Sequence, residues 1–181
     1  PERNADVYTL GREYRMMRLY FKPYPCCRWA QPAIDGLRKI MAREGLTGER
    51  IARIRIRGFA EAVKLCNMTP ATLEEAEYSV LYPVAVTALH GDFTPRHLRE
   101  EHYGRPDIRA MMALTEITAD PAIQARFPEQ CLSEVEVVTT EGQVFASGLV
   151  AARGDFDNPL TGEELREKFR RITRGILDED R

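Results

Sequence analysis

The residues of this chain best suited to chemistry fall where proline stiffens the backbone. The run Phe21-Lys22-Pro23-Tyr24-Pro25-Cys26-Cys27-Arg28-Trp29 joins a lysine among aromatics, two prolines, neighbouring cysteines, an arginine and the single tryptophan. Each proline fixes its own φ and removes a backbone donor, and the residue before it is pushed out of the helical region. Lys22 and Tyr24 are therefore expected to be extended, in a stiff connection between a strand and a helix. A cation held in such a connection has a fixed place, which is what binding an anionic substrate requires; rigidly positioned loops often carry function. Arg28 adds a second cation, able to grip a carboxylate by two parallel hydrogen bonds where lysine acts as a point charge. On these residues alone an ordinary loop with a solvated lysine remains the alternative.

Two further residues stand at punctuated positions. Tyr82-Pro83 interrupts a helical pattern, and a proline inside a helix removes a hydrogen bond or kinks it. Tyr82 is thereby placed at a bend, as a tyrosine in a pocket that can donate a proton or orient a substrate, or as a core aromatic. His90 lies two helical turns further on if the helix resumes. It can share a face with Tyr82, or simply interact with the dipole of a helix that ends at Gly91. There is no glycine-rich phosphate loop and no nucleophile elbow. No two carboxylates pair at a defined spacing, so no acid–base set is complete. His90, His97 and His102 do not share a helix face at metal-ligand spacing, which gives zinc no support.

These residues need elements to hold them. Residues 13–22, with Met17, Leu19 and Phe21 at period two, suggest a strand. From Pro32 the apolar positions Ile34, Leu37, Ile40 and Met41 follow helical spacing, with Pro32 in the first turn and Gly45 as the stop. Arg53-Ile54-Arg55-Ile56-Arg57 alternates strictly and reads as a strand with one buried face. Its row of arginines resembles a phosphate site but more simply forms a solvated sheet face. Thr72 and Glu75 resemble a capping box opening a helix rich in small residues that runs to Gly91. Short helices are expected at 95–101, 106–114 and 121–127, and a short strand at 115–119. Strands at 133–139 and 143–150 flank a turn at Glu141-Gly142. Thr161 caps a last helix with the stripe Leu165, Phe169, Ile172 and Ile176. The sum is one α+β domain over residues 1–181: a two-layer α/β sandwich with a mixed or antiparallel sheet of about five strands and helices on one face.

Composition narrows the function. The chain has 181 residues, 44% hydrophobic and 30% charged, as in a globular domain with a sizeable core. Its net charge of -2 argues against a general nucleic-acid binder. No apolar run is long enough to span a bilayer, so no membrane partner is expected. The charged, polar N-terminus gives no sign of a signal peptide. Pro1 fits either removal of an initiator methionine or a piece of a longer chain. Four cysteines without a C-x-x-C are too sparse for a disulfide framework, which makes reduced thiols and a cytoplasmic location the expectation.

Three stretches, in order, resemble the C-terminal part of the MmgE/PrpD family. They are Lys22-Pro23-Tyr24-Pro25-Cys26 before a helix, 76–91 with Tyr82-Pro83, Ala88-Leu89 and Gly91, and Gly154-Asp155-Phe156-Asp157-Asn158-Pro159-Leu160-Thr161 leading into Glu164-Leu165 and Lys168-Phe169. That family includes 2-methylcitrate dehydratase, cis-aconitate decarboxylase and iminodisuccinate epimerase. The resemblance implies a lyase or isomerase acting on di- or tricarboxylates such as 2-methylcitrate, without metal or organic cofactor. It implies an all-helical N-terminal domain, in the same or a separate chain, that completes the active site and supplies its histidines and aspartate. It places an active-site lysine at Lys22 and an active-site tyrosine at Tyr82, with Arg28, Gln31 and His90 as further candidates for holding substrate. Many members have a histidine nine residues after the lysine; here Gln31 stands there, which can hydrogen-bond but cannot shuttle a proton near neutral pH. A homodimer is a further expectation from the family. The rival reading is a non-catalytic binding or assembly domain, which an exposed apolar patch around the small-residue helix would favour.

Overall fold

The strictly alternating stretch becomes the centre of a sheet. In the computed structural model, which describes residues 11–177, strand β1 (Ile51–Gly58) buries Ile51, Ile54 and Ile56 and exposes Arg53, Arg55 and Arg57. Strand β2 (Thr115–Ala119) runs parallel to it on one side. On the other, β3 (Leu132–Thr139) runs antiparallel to β1 and β4 (Val144–Ala151) antiparallel to β3, giving the order β2-β1-β3-β4. The register sets Ile54 opposite Val137 and Ile56 opposite Val135, so the apolar row crosses strands. On the other face the same register sets Arg55 opposite Glu116 and Glu136, and Arg57 opposite Glu134. Arg55 donates to Glu136 at 2.7 Å and to Glu116 at 3.2 Å; Arg57 bonds Asp120 at 3.2 Å and also pairs with Glu134. The arginine row is thus a solvated face in which each arginine meets carboxylates, and such exposed pairs add little to stability.

Helix α1 (Gln31–Glu44) packs its apolar stripe on β3 and β4. Its Lys39 and Arg43 donate to the Ser147 and Ala146 carbonyls, covering part of the β4 edge. After β1 come α2 (Ala60–Val63), α3 (Leu73–Tyr78), α4 (Leu81–His90), α5 (Glu100–Tyr103) and α6 (Pro106–Ala113). Helix α7 (Pro121–Gln124) follows β2, and α8 (Gly162–Thr173) follows β4. Helix α4 packs against α1, α6 and β2. The result is α+β: an open, mixed, four-stranded sheet with eight helices among the described residues. None of these helices is long and apolar enough to cross a membrane.

Several expectations are corrected. The sheet has four strands among the described residues, because 13–22 forms none. That stretch makes a 3-10 turn at Arg15–Arg18 and leaves Met17, Leu19 and Phe21 more than 60% exposed. Its alternation is real, but no sheet edge lies beside it to bond its backbone. The small-residue helix breaks earlier than expected, at Ser79–Val80, so Tyr82-Pro83 opens α4 rather than bending it. In a first turn the backbone N–H groups have no intrahelical partner, so Pro83 loses no bond there. The Ser79 hydroxyl accepts from the Tyr82 N–H at 3.1 Å and serves the new start. The small residues of α4 are buried, whereas Leu73 and Tyr78 of α3, in the first part of the stretch read as one helix, are exposed. The stretch 95–101 is split into a 3-10 turn and α5. The Thr161 cap and the turn between β3 and β4 are as expected, and Glu164 completes a capping box with Thr161. The stretch read for a signal peptide falls in residues 1–10, outside the described residues.

Candidate functional site

The loop 21–29 is irregular but heavily tied. The Phe21 N–H donates to the Gly154 carbonyl at 2.9 Å, and the Cys27 N–H to the Glu77 carbonyl at 2.8 Å. Arg171 of α8 donates to the Pro23 carbonyl at 2.6 Å. Tyr24 is buried, its hydroxyl donating to Asp35 of α1 at 2.6 Å. Trp29 presents ring edges to Phe59 and Phe127, with centroids 5.6 and 5.7 Å away. The chain crosses itself at Gly154, whose φ of +92° favours glycine. A Cβ there would overlap the Phe21 carbonyl oxygen. Lys22 therefore projects from a backbone fixed at both ends, although the segment before it is not a strand.

Lys22 is exposed and makes no hydrogen bond or ion pair among the described residues. It lines a cleft of about 350 Å³ together with Tyr20, Cys27, Arg28, Glu77 and Tyr78. Arg28 faces the same cleft, but its guanidinium is engaged with both carboxylate oxygens of Asp155, through Nε at 3.0 Å and through Nη2. The Asp155 hydrogen bonds hold the guanidinium above its usual pKa. The guanidinium also lies over the Tyr20 ring, 5.9 Å from its centroid. The two cations thus share a cleft with different roles: Lys22 is open to an anion, and Arg28 is neutralised and buttresses the loop.

The remaining candidates are not in this cleft. Gln31 is fully buried at the start of α1, its Nε2 3.4 Å from the Cys26 carbonyl and its Oε1 without a partner. Tyr82 is fully buried rather than open to a pocket. Its hydroxyl donates to the His97 carbonyl at 2.6 Å, and its ring meets Phe93 and Tyr103 edge-on. Burial pushes that phenol above its usual pKa, with the Tyr103 phenol beside it adding to the rise. As placed, Tyr82 holds α4 to the 95–98 turn and does not touch the cleft. His90 is exposed at the last residue of α4 and stacks on His97, centroids 5.2 Å apart. Partial burial and the Arg105 guanidinium lower its pKa. His97 Nδ1 accepts the Thr94 N–H at 3.0 Å, and burial beside two other histidines brings its pKa down to about 4.

Sequence reasoning did not find Asp155 as the partner of Arg28, nor Tyr20, Cys27, Glu77 and Tyr78 as cleft walls. Nothing in a chain marks two residues 127 positions apart as a pair. Cys27 is half-buried in the cleft, whereas burial pushes the Cys131 thiol up to about 12. Among the described residues no group of three His, Cys, Asp or Glu side chains could hold a metal ion.

Comparison with known proteins adds two findings. The family model described as "MmgE/PrpD C-terminal domain" matches residues 24–181. Cis-aconitate decarboxylase of Mus musculus is 24% identical over 186 residues, covering 99% of this chain and 37% of that protein. Cis-aconitate decarboxylase of Homo sapiens is 27% identical over 166 residues, covering 88% of this chain and 34% of that protein. The chain thus spans about a third of the length of these relatives.

Proposed function

Because the chain belongs to the MmgE/PrpD family through that family's C-terminal domain, we propose that it forms the carboxylate-gripping side of a lyase or isomerase site. The substrates are di- or tricarboxylates. The observation that carries this reading is Lys22: a cation with no partner among the described residues, on an over-tied loop, in a cleft whose other cation is already neutralised. Removing a proton or a carboxylate next to an activated carbon builds negative charge on the substrate. A fixed cation holds the ground-state carboxylate and meets that developing charge without reorganising. The relatives' name points to cis-aconitate and its decarboxylation; dehydration of 2-methylcitrate makes the same demand on the cleft.

The cleft sets Glu77, Tyr20, Tyr78 and the Cys27 thiol beside Lys22 but has no histidine among its described walls, and the chain spans a third of its relatives, so on this reading the site is completed by an all-helical partner domain in the same or a separate chain. Exposed Tyr20, Phe21, Tyr78 and Phe156, all from the cleft walls or from segments tied to its loop, suit such a contact. The protein alone is expected to turn over neither acid. Turnover of cis-aconitate or 2-methylcitrate is expected once it is combined with the part of a cis-aconitate decarboxylase relative outside the matched region. Detectable turnover by the protein alone would refute the divided site.

Gln31 favours a second reading, a non-catalytic binding or assembly domain, since its buried amide has replaced a group able to carry a proton. The same experiment separates the two. A combination that binds its partner and the acids but turns over neither belongs to the second reading.

A further inference from the structure

Helix α8 turns its polar side inward. Glu164, Lys168 and Arg171 face Pro23, Tyr24 and Asp35 across a small space between the helix and the body of the protein. The ties there are polar. Arg171 donates to Asp92 at 3.2 Å and to the Pro23 carbonyl at 2.6 Å, and Glu164 accepts from Arg153 at 2.7 Å. The apolar side is left to solvent. Phe169 is 55% exposed, Leu165 is exposed, Ile172 is half-buried, and Ile176, just past the helix end, is exposed as well. No residue of α8 is buried.

A helix of 12 residues is marginal in water by itself, and most helices gain their stability by packing an amphipathic face. Here the face with the clearest apolar stripe is withheld from the helix's own domain. Exposed apolar surface of this kind marks an interaction site. Leu165, Phe169, Ile172 and Ile176 have the spacing of the anchors by which a helix lies in an apolar groove.

The stripe continues a larger apolar face, which decides what covers it. Exposed Phe156 stands on the loop that leads into α8, and Gly154 of that loop accepts from the amide of exposed Phe21, next to Lys22. A helix of this length is about 18 Å long, too short to supply by itself the roughly 800 Å² per partner of a standard interface. A second copy seated on α8 alone therefore gains too little. Joined to Phe156 and Phe21, the stripe reaches the side of the cleft that the reading above gives to a partner domain, and most of the relatives' length lies outside the part matched here.

We propose that α8 is the docking helix for the all-helical partner domain, its stripe seated in an apolar groove between two of that domain's helices. This rests on the reading that such a domain completes the cleft, and it adds a consequence. Arg171 ties α8 to the Pro23 carbonyl, beside Lys22, so docking of α8 also steadies the loop that carries the open cation. Phe169→Asp tests the proposal, with Leu165→Ser as a second variant. In the protein alone both are expected to leave the urea midpoint unchanged, because the stripe buries nothing there, and amide exchange over 163–173 is expected to be fast. In combination with the part of a cis-aconitate decarboxylase relative outside the matched region, that exchange is expected to slow about tenfold or more. Phe169→Asp is expected to weaken the association about thirtyfold, the scale of an aromatic anchor at an interface, and Lys22→Ala to leave it unchanged. Association as tight in both stripe variants as in the parent would overturn the docking role of α8 while leaving the divided site standing. No association of the parent would overturn the divided site and this proposal with it. A protein that dimerises alone in sedimentation, and is monomeric as Phe169→Asp, would assign the stripe to a second copy and overturn the proposal.

Discussion

Lys22 and Arg28 look interchangeable in the sequence, two cations beside prolines and aromatics, yet the fold gives them opposite tasks. The lysine has no partner among the described residues, and the arginine is locked to Asp155 by a two-pronged pair with both side chains mostly buried. Removing one member of such a pair leaves the other charge uncompensated. Asp155→Asn is expected to lower the unfolding free energy by about 2 kcal/mol, the scale of hydrogen bonds to charged groups, as read in urea melts. A variant as stable as the parent would remove Arg28–Asp155 as the brace of the loop. His97 makes a pH prediction of the same kind. Its Nδ1 accepts the Thr94 N–H, and its folded pKa of about 4 lies below the free value of 6.5. The unfolded chain therefore binds the extra proton first, so the contribution is full above pH 6.5 and is lost as pH falls from there towards 4. The slope in that window is expected to approach but not exceed about 1.4 kcal/mol per pH unit. His97→Asn is expected to flatten it in denaturant melts at pH 7 and pH 5; an unchanged slope would assign the proton uptake elsewhere.

At the scale of elements, what was legible followed local pattern. The Arg53–Arg57 alternation, the α1 stripe ending at Gly45, the turn after β3 and the Thr161 cap each carry their signal within a few residues, and each is found. What was not legible depended on neighbours distant in sequence. Residues 13–22 alternate, but a strand needs an edge to pair with, and none is beside them. Pro83 is an exception of local origin: it reads as a helix breaker unless the Ser79 hydroxyl, three residues before Tyr82, is seen to start a new helix there. Tyr82 fits either a pocket or the core on the sequence alone, and Phe93, Tyr103 and the His97 carbonyl enclose it as a core aromatic. Gly154 is the element-scale constraint on the cleft, since the Lys22 loop rests directly on its backbone. Gly154→Ala adds a Cβ where the Phe21 carbonyl lies and forces alanine into a positive φ. It is expected to destabilise by more than the roughly 1 kcal/mol of conformational strain alone, as read in thermal melts, and to shift the backbone amide resonances of 21–24. Resonances that stay in place would mean the crossing does not position Lys22.

At the scale of the whole molecule, the cleft sets one open cation, Lys22, beside one already held by a carboxylate, Arg28, on a loop tied at both ends. That arrangement suits gripping carboxylates more than transforming them. It agrees with the proposal that this domain, which spans a third of its relatives, holds one side of a divided site. The most direct measurement is a calorimetric titration of cis-aconitate into the protein with and without Lys22→Ala. Saturable binding that weakens about tenfold or more when Lys22 becomes alanine is the expected result, the worth of one charge-assisted contact. Equal affinity with and without the Lys22 side chain would contradict its assignment as the residue that grips the substrate.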